Sequence, residues 1–266
     1  MTFFELYGLI GLVILGLMVL LWLLSLAVRD TSIVDIFWGF GFVVAVWAGM
    51  LLSPAPPDLR RWLLSALVTI WGLRLSIHIG LRNIGKGEDF RYAKWRAENG
   101  KRWWWYSFFQ TFLLQGFLMW LVSAPLTAVH LLSGGGFPTW LDLLALLLWA
   151  YGFFFEAVGD AQLTAFKKNP ANKGQLLRSG VWRYTRHPNY FGDAAQWWGF
   201  YLLALAAGGW WSIYSPILMT FLLLRVSGVA LLEKTLANEK PGYREYIETT
   251  SAFVPWFPKK PASKGE

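Results

Sequence analysis

The sequence lacks cysteine altogether, which excludes disulfides, thiolate metal sites and a thiol nucleophile. Histidine is nearly as scarce. His78, His130 and His187 are the three present, they lie far apart, and no HExxH pair occurs, so no metal site is expected. Charge is also sparse, at 15% of residues against 56% hydrophobic, with a mean hydropathy of +0.41. A soluble domain rarely carries so little charge, and a core alone cannot hide this much apolar surface. No internal repeat is visible. Gly85-Lys86-Gly87-Glu88 looks like a piece of a soluble dinucleotide fingerprint, but no strand precedes it, and it reads as a loop. The net charge of +8 gathers in particular loops, a pattern of membrane topology and not of nucleic-acid binding.

What the sequence has in abundance is apolar runs near the ~20 residues that cross a bilayer. They cover Leu6 to Val28, Ile33 to Leu52, Trp62 to Leu81, Tyr106 to Leu132, Trp140 to Phe166, Tyr190 to Ala207 and Ile213 to Leu236. The Pro54-Ala55-Pro56-Pro57 turn closes the second, and Gly134-Gly135-Gly136 with Pro138 closes the fourth. The first is too long for a signal peptide and has no basic segment before it. The expected fold is therefore an all-α integral membrane protein of about seven transmembrane helices in a single domain, 1–266, with a frayed tail after Pro258. Seven lysines and arginines lie between Arg82 and Arg102, six between Lys167 and Arg186, and six from Lys234 onward. That bias predicts an N-terminus outside and a C-terminus in the cytoplasm, with Arg60 and Arg61 as a modest exception on the outer side. The eighteen tryptophans mark interfacial belts, Trp103-Trp104-Trp105 beside Lys101 and Arg102 being an example. Trp38 and Trp197 are also candidates to line a flat apolar pocket.

Ionisable groups at membrane depth cost about 2.5–3.5 kcal/mol each on insertion scales, so they need a reason. Asp35, Arg74, His78, Glu156, Asp160, Asp193 and Arg225 all fall in or at the ends of the apolar runs. Glu156, Asp160, Thr164 and Lys167 share an arc of about 80° on a helix, as Asn189, Asp193 and Gln196 share a face, and Arg74 and His78 another. One reading is that these groups pair and hold helices together, Arg225 with Asp193 for example. The other is a polar cavity open to the cytoplasm. The segment Arg178-Ser179-Gly180-Val181-Trp182-Arg183-Tyr184-Thr185-Arg186-His187-Pro188-Asn189-Tyr190-Phe191-Gly192-Asp193 combines a basic loop, a proline at a helix start and polar first turns. Arginines beside a helix N-terminus suit phosphate, and Asn189 and Asp193 can read amides or hydroxyls of the same ligand. Chemistry alone reaches an anionic cofactor with a polar head.

The His187-Pro188-Asn189-Tyr190-Phe191-Gly192-Asp193 element resembles the cofactor motif of the steroid 5-alpha-reductase and sterol reductase superfamily. Tyr243-Arg244-Glu245-Tyr246, followed by Phe253-Val254-Pro255, is similar to the same families' C-termini, and Trp71-Gly72-Leu73-Arg74 is similar more loosely. The likeness covers about residues 140–258, and a bacterial branch is nearest. It implies a bacterial inner-membrane protein, a monomer, whose 140–258 part wraps NADPH while the N-terminal spans form the substrate pocket. Carried over by position, it implies that Asp160, Lys167, Leu177, Trp182, Asn189, Asp193, Arg225 and Tyr246 contact the cofactor. Arg74 would reach a phosphate, and Arg178, Arg183 and Arg186 would select the adenosine-side phosphate. The steroid enzymes polarise the substrate carbonyl with a glutamate on the second span and a tyrosine on the third. Here Asp35 stands for the glutamate, Trp71 occupies the tyrosine's place, and His78 can donate the proton instead. Trp38 and Trp71 would line the pocket of a steroid or terpenoid enone drawn from membrane lipid. The implied reaction is hydride transfer from NADPH to the β-carbon of that enone. A methyltransferase of the isoprenylcysteine type, using S-adenosylmethionine, shares the Arg-His-Pro-x-Tyr element and is the rival enzyme. A lipid-binding or transporter-like bundle is the rival without catalysis.

Overall fold

The computed structural model describes residues 1–132, 136–226 and 228–259; Gly134, Gly135 and the tail from 260 onward, both singled out above, lie outside them. The described residues are all-helical, with no strand. The elements are α1 (Phe3–Val28), α2 (Ile33–Leu52), α3 (Leu59–Asn83), α4 (Phe90–Asn99), α5 (Trp103–Ser107), a π-helical turn (Phe108–Leu113), α6 (Leu114–Val122) and α7 (Ala124–Leu132). They continue with α8 (Trp140–Lys168), α9 (Pro188–Ala206), α10 (Tyr214–Phe221), a second π-helical turn (Leu222–Val226), α11 (Val229–Glu239) and α12 (Tyr243–Thr249).

Local chemistry sets the ends. Thr2 and Glu5 form a reciprocal capping box on α1, Glu5 N–H donating to the Thr2 hydroxyl at 3.3 Å and Thr2 N–H to the Glu5 carboxylate at 2.7 Å. Asp58 caps α3 by accepting from Arg61 N–H at 2.9 Å, and Asp89 caps α4 by accepting from Arg91 N–H at 3.0 Å. Helix α4 departs from the loop that the sequence predicts over 82–102. Its ten residues are mostly polar and give no span signal, and the cap is the local cue.

Helices α1, α2, α3 and α8 are each long and apolar enough to cross a membrane, and the bent pair Phe90–Val122 and Ala124–Leu132 makes a fifth if it counts as one span. The bend is 42° and falls at Ser123, just before Pro125, whose missing N–H fits only the first turn of a helix. The expected sixth and seventh spans fall short. Helix α9 carries Asn189, Asp193 and Gln196, and the apolar stretch Trp210–Val226 stops two residues before Gly228. Only glycine fits at 228, because an added Cβ would lie 2.1 Å from the Leu223 carbonyl oxygen.

The chain divides into two compact units, Met1–Asp142 with Leu203–Ser215, and Leu143–Leu202 with Pro216–Glu266. In the first, α1 buries Leu6, Ile10, Ile14 and Met18, one residue per turn, while Leu9, Leu12 and Leu20 face outward. Helices α2 and α3 meet backbone to backbone. A Cβ on Gly39 would lie 2.4 Å from the Gly72 carbonyl oxygen, and one on Gly72 2.5 Å from that of Gly39. Phe42, Val46, Leu64, Val68 and Trp71 fill the core beside this crossing. Arg60 and Arg61 are fully buried. Arg60 pairs with Asp142 at 2.7 Å, and Arg61 donates to the carbonyls of Ala55, Pro56 and Met50 and lies 3.4 Å from His130 Nδ1. Arg60 is thus answered by an internal carboxylate, and Arg61 by backbone carbonyls.

In the second unit α8 and α9 approach as closely. A Cβ on Gly192 would lie 2.4 Å from the Gly152 carbonyl oxygen, Gly159 sits against the Pro188 ring, and Gly199 against the Ala145 carbonyl. Each helix thus presents glycines seven residues apart, the small-residue contact that lets helix backbones pack in lipid.

Candidate functional site

That close approach places the polar face of α8 against that of α9. Glu156, Asp160, Asp193 and Gln196 are all buried. The Asn189 amide donates to Asp160 at 3.2 Å, and the Gln196 amide donates to Glu156 at 2.5 Å and to the Gly192 carbonyl at 3.2 Å. The Gln196 carbonyl oxygen is buried with no hydrogen-bond partner among the described residues. Burying such an acceptor costs roughly 1–3 kcal/mol unless something donates to it. Further along α8, Thr164 and Lys167 are exposed, so this polar face runs from the interior of the unit to its surface.

The basic loop before α9 is stitched to the C-terminal segment. The Trp182 indole donates to the Gly159 carbonyl at 3.1 Å, and its own carbonyl accepts from the Tyr246 hydroxyl. Thr185 donates to the Phe253 carbonyl at 2.8 Å, Arg186 N–H to that of Ser251 at 2.9 Å, and Trp256 N–H to that of Tyr184 at 2.9 Å. Leu177 is half-buried in the same loop.

Sorted by partner, the arginines fall into two kinds. Arg186, 6% exposed, holds Glu233 at 2.7 Å and donates to the carbonyls of Ile247 and Thr250. Glu233 also accepts from His187 at 3.2 Å. Burial alone would raise the Glu233 carboxyl, but the His187 and Arg186 hydrogen bonds outweigh it and hold the group below the ordinary glutamate range. Burial likewise pushes the neighbouring Tyr243 phenol up to about 12. Arg178 pairs with Glu245 at 3.3 Å, donates to the Gly242 carbonyl and stacks over Tyr246 at 5.4 Å. Arg183 and Arg225 differ. Both are exposed, with no ion-pair or hydrogen-bond partner among the described residues, and Arg225 stands in the second π-helical turn. Of the residues expected to bind a cofactor, then, Arg178, Trp182, Arg186 and Tyr246 have internal partners that hold the loop. Asn189 meets Asp160, Asp193 is buried one turn further along α9, and Arg225 is open.

The residues expected at the substrate lie in the first unit. Arg74 and His78 are half-buried one turn apart on α3, and Trp71 is fully buried beside Phe42, which in turn contacts Trp38. Asp35 opens α2, and both of its oxygens accept: Oδ2 from Arg91 at 2.8 Å and Oδ1 from the Tyr92 hydroxyl at 2.6 Å. Nearby, Glu88 holds Arg96 through two bonds of 2.8 Å and accepts from Thr31 N–H at 2.7 Å. Sequence reasoning missed Arg91, Tyr92, Glu88 and Glu233. The Asp89 cap was readable, whereas the partners across 56 and 47 residues had no local signal.

Comparison with known proteins gives two relatives and no solved structure, since none matches significantly. An uncharacterized protein of Schizosaccharomyces pombe is 26% identical over 278 residues, covering 88% of this chain and 75% of its own. A probable O-methyltransferase of Ustilaginoidea virens is 40% identical over 63 residues, 24% of this chain and 21% of that protein, so the chain spans about a fifth of it. The family model described as "protein of unknown function (DUF1295)" matches residues 21–250. With nearly the whole polar face, the basic loop and the Asp35 cluster inside that match, the chain belongs to the DUF1295 family, which is steroid 5-alpha-reductase-like.

Proposed function

We propose that this protein is an NADPH-dependent membrane reductase that adds hydride to the carbon–carbon double bond of an enone steroid or similar lipid, with its site open to the cytoplasm. The observation that carries this reading is the buried amide–carboxylate face of the second unit, Asn189 on Asp160 and Gln196 on Glu156, in a chain whose unpartnered cations include Arg183 and Arg225. The donor set suits the cofactor. Asn189, Asp193 and the unsatisfied Gln196 oxygen have the chemistry to meet a carboxamide and ribose hydroxyls. Arg183 and Arg225 have all their donors free for phosphate oxygens, whereas Arg178 and Arg186 spend two and four of their five on internal partners. Bound NADPH would supply the hydride.

The chain's own part is to orient and to manage charge. The Trp182, Tyr246 and Arg186 contacts hold the loop that carries Arg183, so this cation is presented from a fixed backbone. In the first unit Asp35, at the start of α2, gathers the donors Arg91 and Tyr92, the kind of polar cluster that can meet negative charge growing on a carbonyl oxygen. An apolar substrate reaches such a protein by partitioning into the bilayer, which supports a lipid-like enone over a water-soluble one.

The test is ligand binding to the detergent-purified protein, comparing NADPH, NADH and S-adenosylmethionine by thermal shift. A shift with NADPH that is lost in Asn189→Ala and Asp193→Ala supports the reductase. The match to a probable O-methyltransferase favours a second reading, methyl transfer from S-adenosylmethionine. A shift with that donor alone would establish the second reading and sink the first.

A further inference from the structure

The first unit has open cations of its own, gathered in one corner. Arg29 caps the C-terminus of α1, and Lys101 and Arg102 stand just before α5. Their side chains are exposed and have no ion-pair or hydrogen-bond partner among the described residues. The acidic groups nearby are engaged elsewhere. Asp30 accepts from the Ser32 N–H and hydroxyl at 2.8 and 2.6 Å, Glu88 from Arg96, Asp89 from Arg91, and Glu98 lies 3.8 Å from Lys94. Arg29, Lys101 and Arg102 are left over.

The packing of α1 explains why they meet. It runs antiparallel to the segment from α5 to α6. The Trp120 indole donates to the Tyr7 carbonyl at 2.9 Å toward one end, and the Trp22 indole to the Trp104 carbonyl at 2.8 Å toward the other. Arg29 follows Trp22 by seven residues, two turns on along the same face, which brings it beside the turn Gly100–Arg102. The Trp103 indole closes this end by donating to the Thr31 hydroxyl at 3.1 Å. Arg29 also has a backbone that glycine suits better. Its φ of 55° is left-handed, a conformation in which a side chain costs free energy, and it alone has a positive φ among the described residues other than glycine. A guanidinium kept at that cost points to a use for its charge.

The same seam is apolar above the cations. Leu24 and Val28 on α1 are exposed, as are Trp104 and Trp105 on α5, and Met18 and Leu113 begin an open apolar groove of about 260 Å³. Met18 lies eleven residues from Arg29, about 16 Å along the helix, and the hydrocarbon of one leaflet is about 15 Å deep.

We propose that this corner of the first unit binds one anionic phospholipid, its phosphate held by Arg29, Lys101 and Arg102 and its acyl chain laid along the seam. Arginine meets phosphate oxygens with paired, charge-assisted bonds, and lysine adds a point charge. The Trp104 and Trp105 rings suit the boundary between headgroup and chain. A zwitterionic headgroup brings an ammonium that these cations repel, so the site selects a lipid of net negative charge. The site is independent of any cofactor and of the reaction.

The experiment titrates delipidated protein in detergent with phosphatidylglycerol, with phosphatidylcholine of the same chains, and with inorganic phosphate. Melting temperature is read for each, and native mass spectrometry counts the lipids retained. Phosphatidylglycerol is expected to raise the melting temperature and to leave one lipid bound, and the other two to do neither. Arg29→Gly relieves the left-handed backbone, so without lipid it should melt at or above the wild type, while its phosphatidylglycerol shift falls by about half or more. Arg29→Lys keeps the charge and most of the shift. Lys101→Ala with Arg102→Ala loses it, and serves should Arg29→Gly not fold. Lys168→Ala, which removes an exposed cation of the second unit, leaves it whole. Equal shifts with the two lipids, or a shift that inorganic phosphate alone reproduces, would overturn the proposal. So would an Arg29→Gly that melts below the wild type with its lipid shift intact, since Arg29 would then serve only the end of α1.

Discussion

The two units of this chain handle buried charge differently. In the first, Arg60 closes on Asp142, Arg91 on Asp35 and Asp89, and Arg96 on Glu88, while Arg61 is ringed by backbone carbonyls. In the second, Arg178 and Arg186 are closed in the same manner, and the buried face of α8 and α9 is built largely from amides and carboxylates, while the exposed Arg183 and Arg225 are open, as the exposed Arg29 and Arg102 are in the first. A closed ion pair has its charge and geometry answered inside the protein, so its removal is felt as stability. An open, exposed cation has no internal partner to lose, so its removal is felt little by the fold and chiefly by a ligand it holds. The contrast separates structural arginines from binding ones more sharply than the count of arginines does.

The strongest way to break the contrast is Asp142→Ala. It leaves Arg60, 1% exposed, buried without its counter-ion, and such a loss typically costs about 3–5 kcal/mol. Thermal unfolding in detergent should show a larger drop than Glu233→Gln, Gly192→Ala or any surface substitution gives. A drop no larger than that of an exposed-site control would mean that the pair is hydrated and not closed.

Next comes Glu233→Gln in the second unit. The carboxylate accepts from both Arg186 and His187, and charge-assisted bonds of this kind contribute about 1.5–3 kcal/mol. Because its folded-state pKa is depressed, the contribution is fully present above the unfolded glutamate value of about 4.3 and is lost as pH falls through the lower folded value. The melting temperatures of wild type and Glu233→Gln should therefore differ at neutral pH and converge below about pH 4. A gap that stays constant on acidification would show that Glu233 is not ionised in the fold. Somewhat smaller is Gly192→Ala, whose new methyl meets the backbone of α8 and should cost about 1–3 kcal/mol. Gly16→Ala on α1, where an added Cβ meets nothing within 4 Å, is its neutral counterpart.

These elements also show how much the sequence disclosed. Helix α2 runs over the same residues as its apolar stretch, and α8 differs from its own by two residues, because an uninterrupted apolar run is a local property. The face shared by Asn189, Asp193 and Gln196 was legible from helical spacing alone, and its approach to Glu156 and Asp160 is written in the seven-residue spacing of Gly152 with Gly159 and Gly192 with Gly199. What spacing could not disclose is which cation closes on which anion. Arg186 reads in sequence as one more arginine of a basic loop, and only the fold brings Glu233 and the Thr250 carbonyl to it. The same holds for Asp35. Its donors Arg91 and Tyr92 come from α4, a short polar helix with no apolar period to announce it.

The finest test of the contrast asks for an effect that stability does not register. Arg225→Ala and Arg183→Ala remove exposed cations with no partner among the described residues, so melting temperature without ligand should stay within the equivalent of about 0.5 kcal/mol of wild type. The NADPH-induced shift should nonetheless shrink, since each guanidinium offers phosphate oxygens a charge-assisted pair of bonds. Arg186→Ala gives the inverse pattern, a lower melting temperature with a ligand shift that survives wherever the fold does, because four of its five donors are occupied by Glu233 and two carbonyls. Should Arg225→Ala and Arg183→Ala leave the NADPH shift whole while Arg186→Ala abolishes it at unchanged stability, the sorting by partner is wrong. The phosphate would then be held by an arginine that exchanges Glu233 for it.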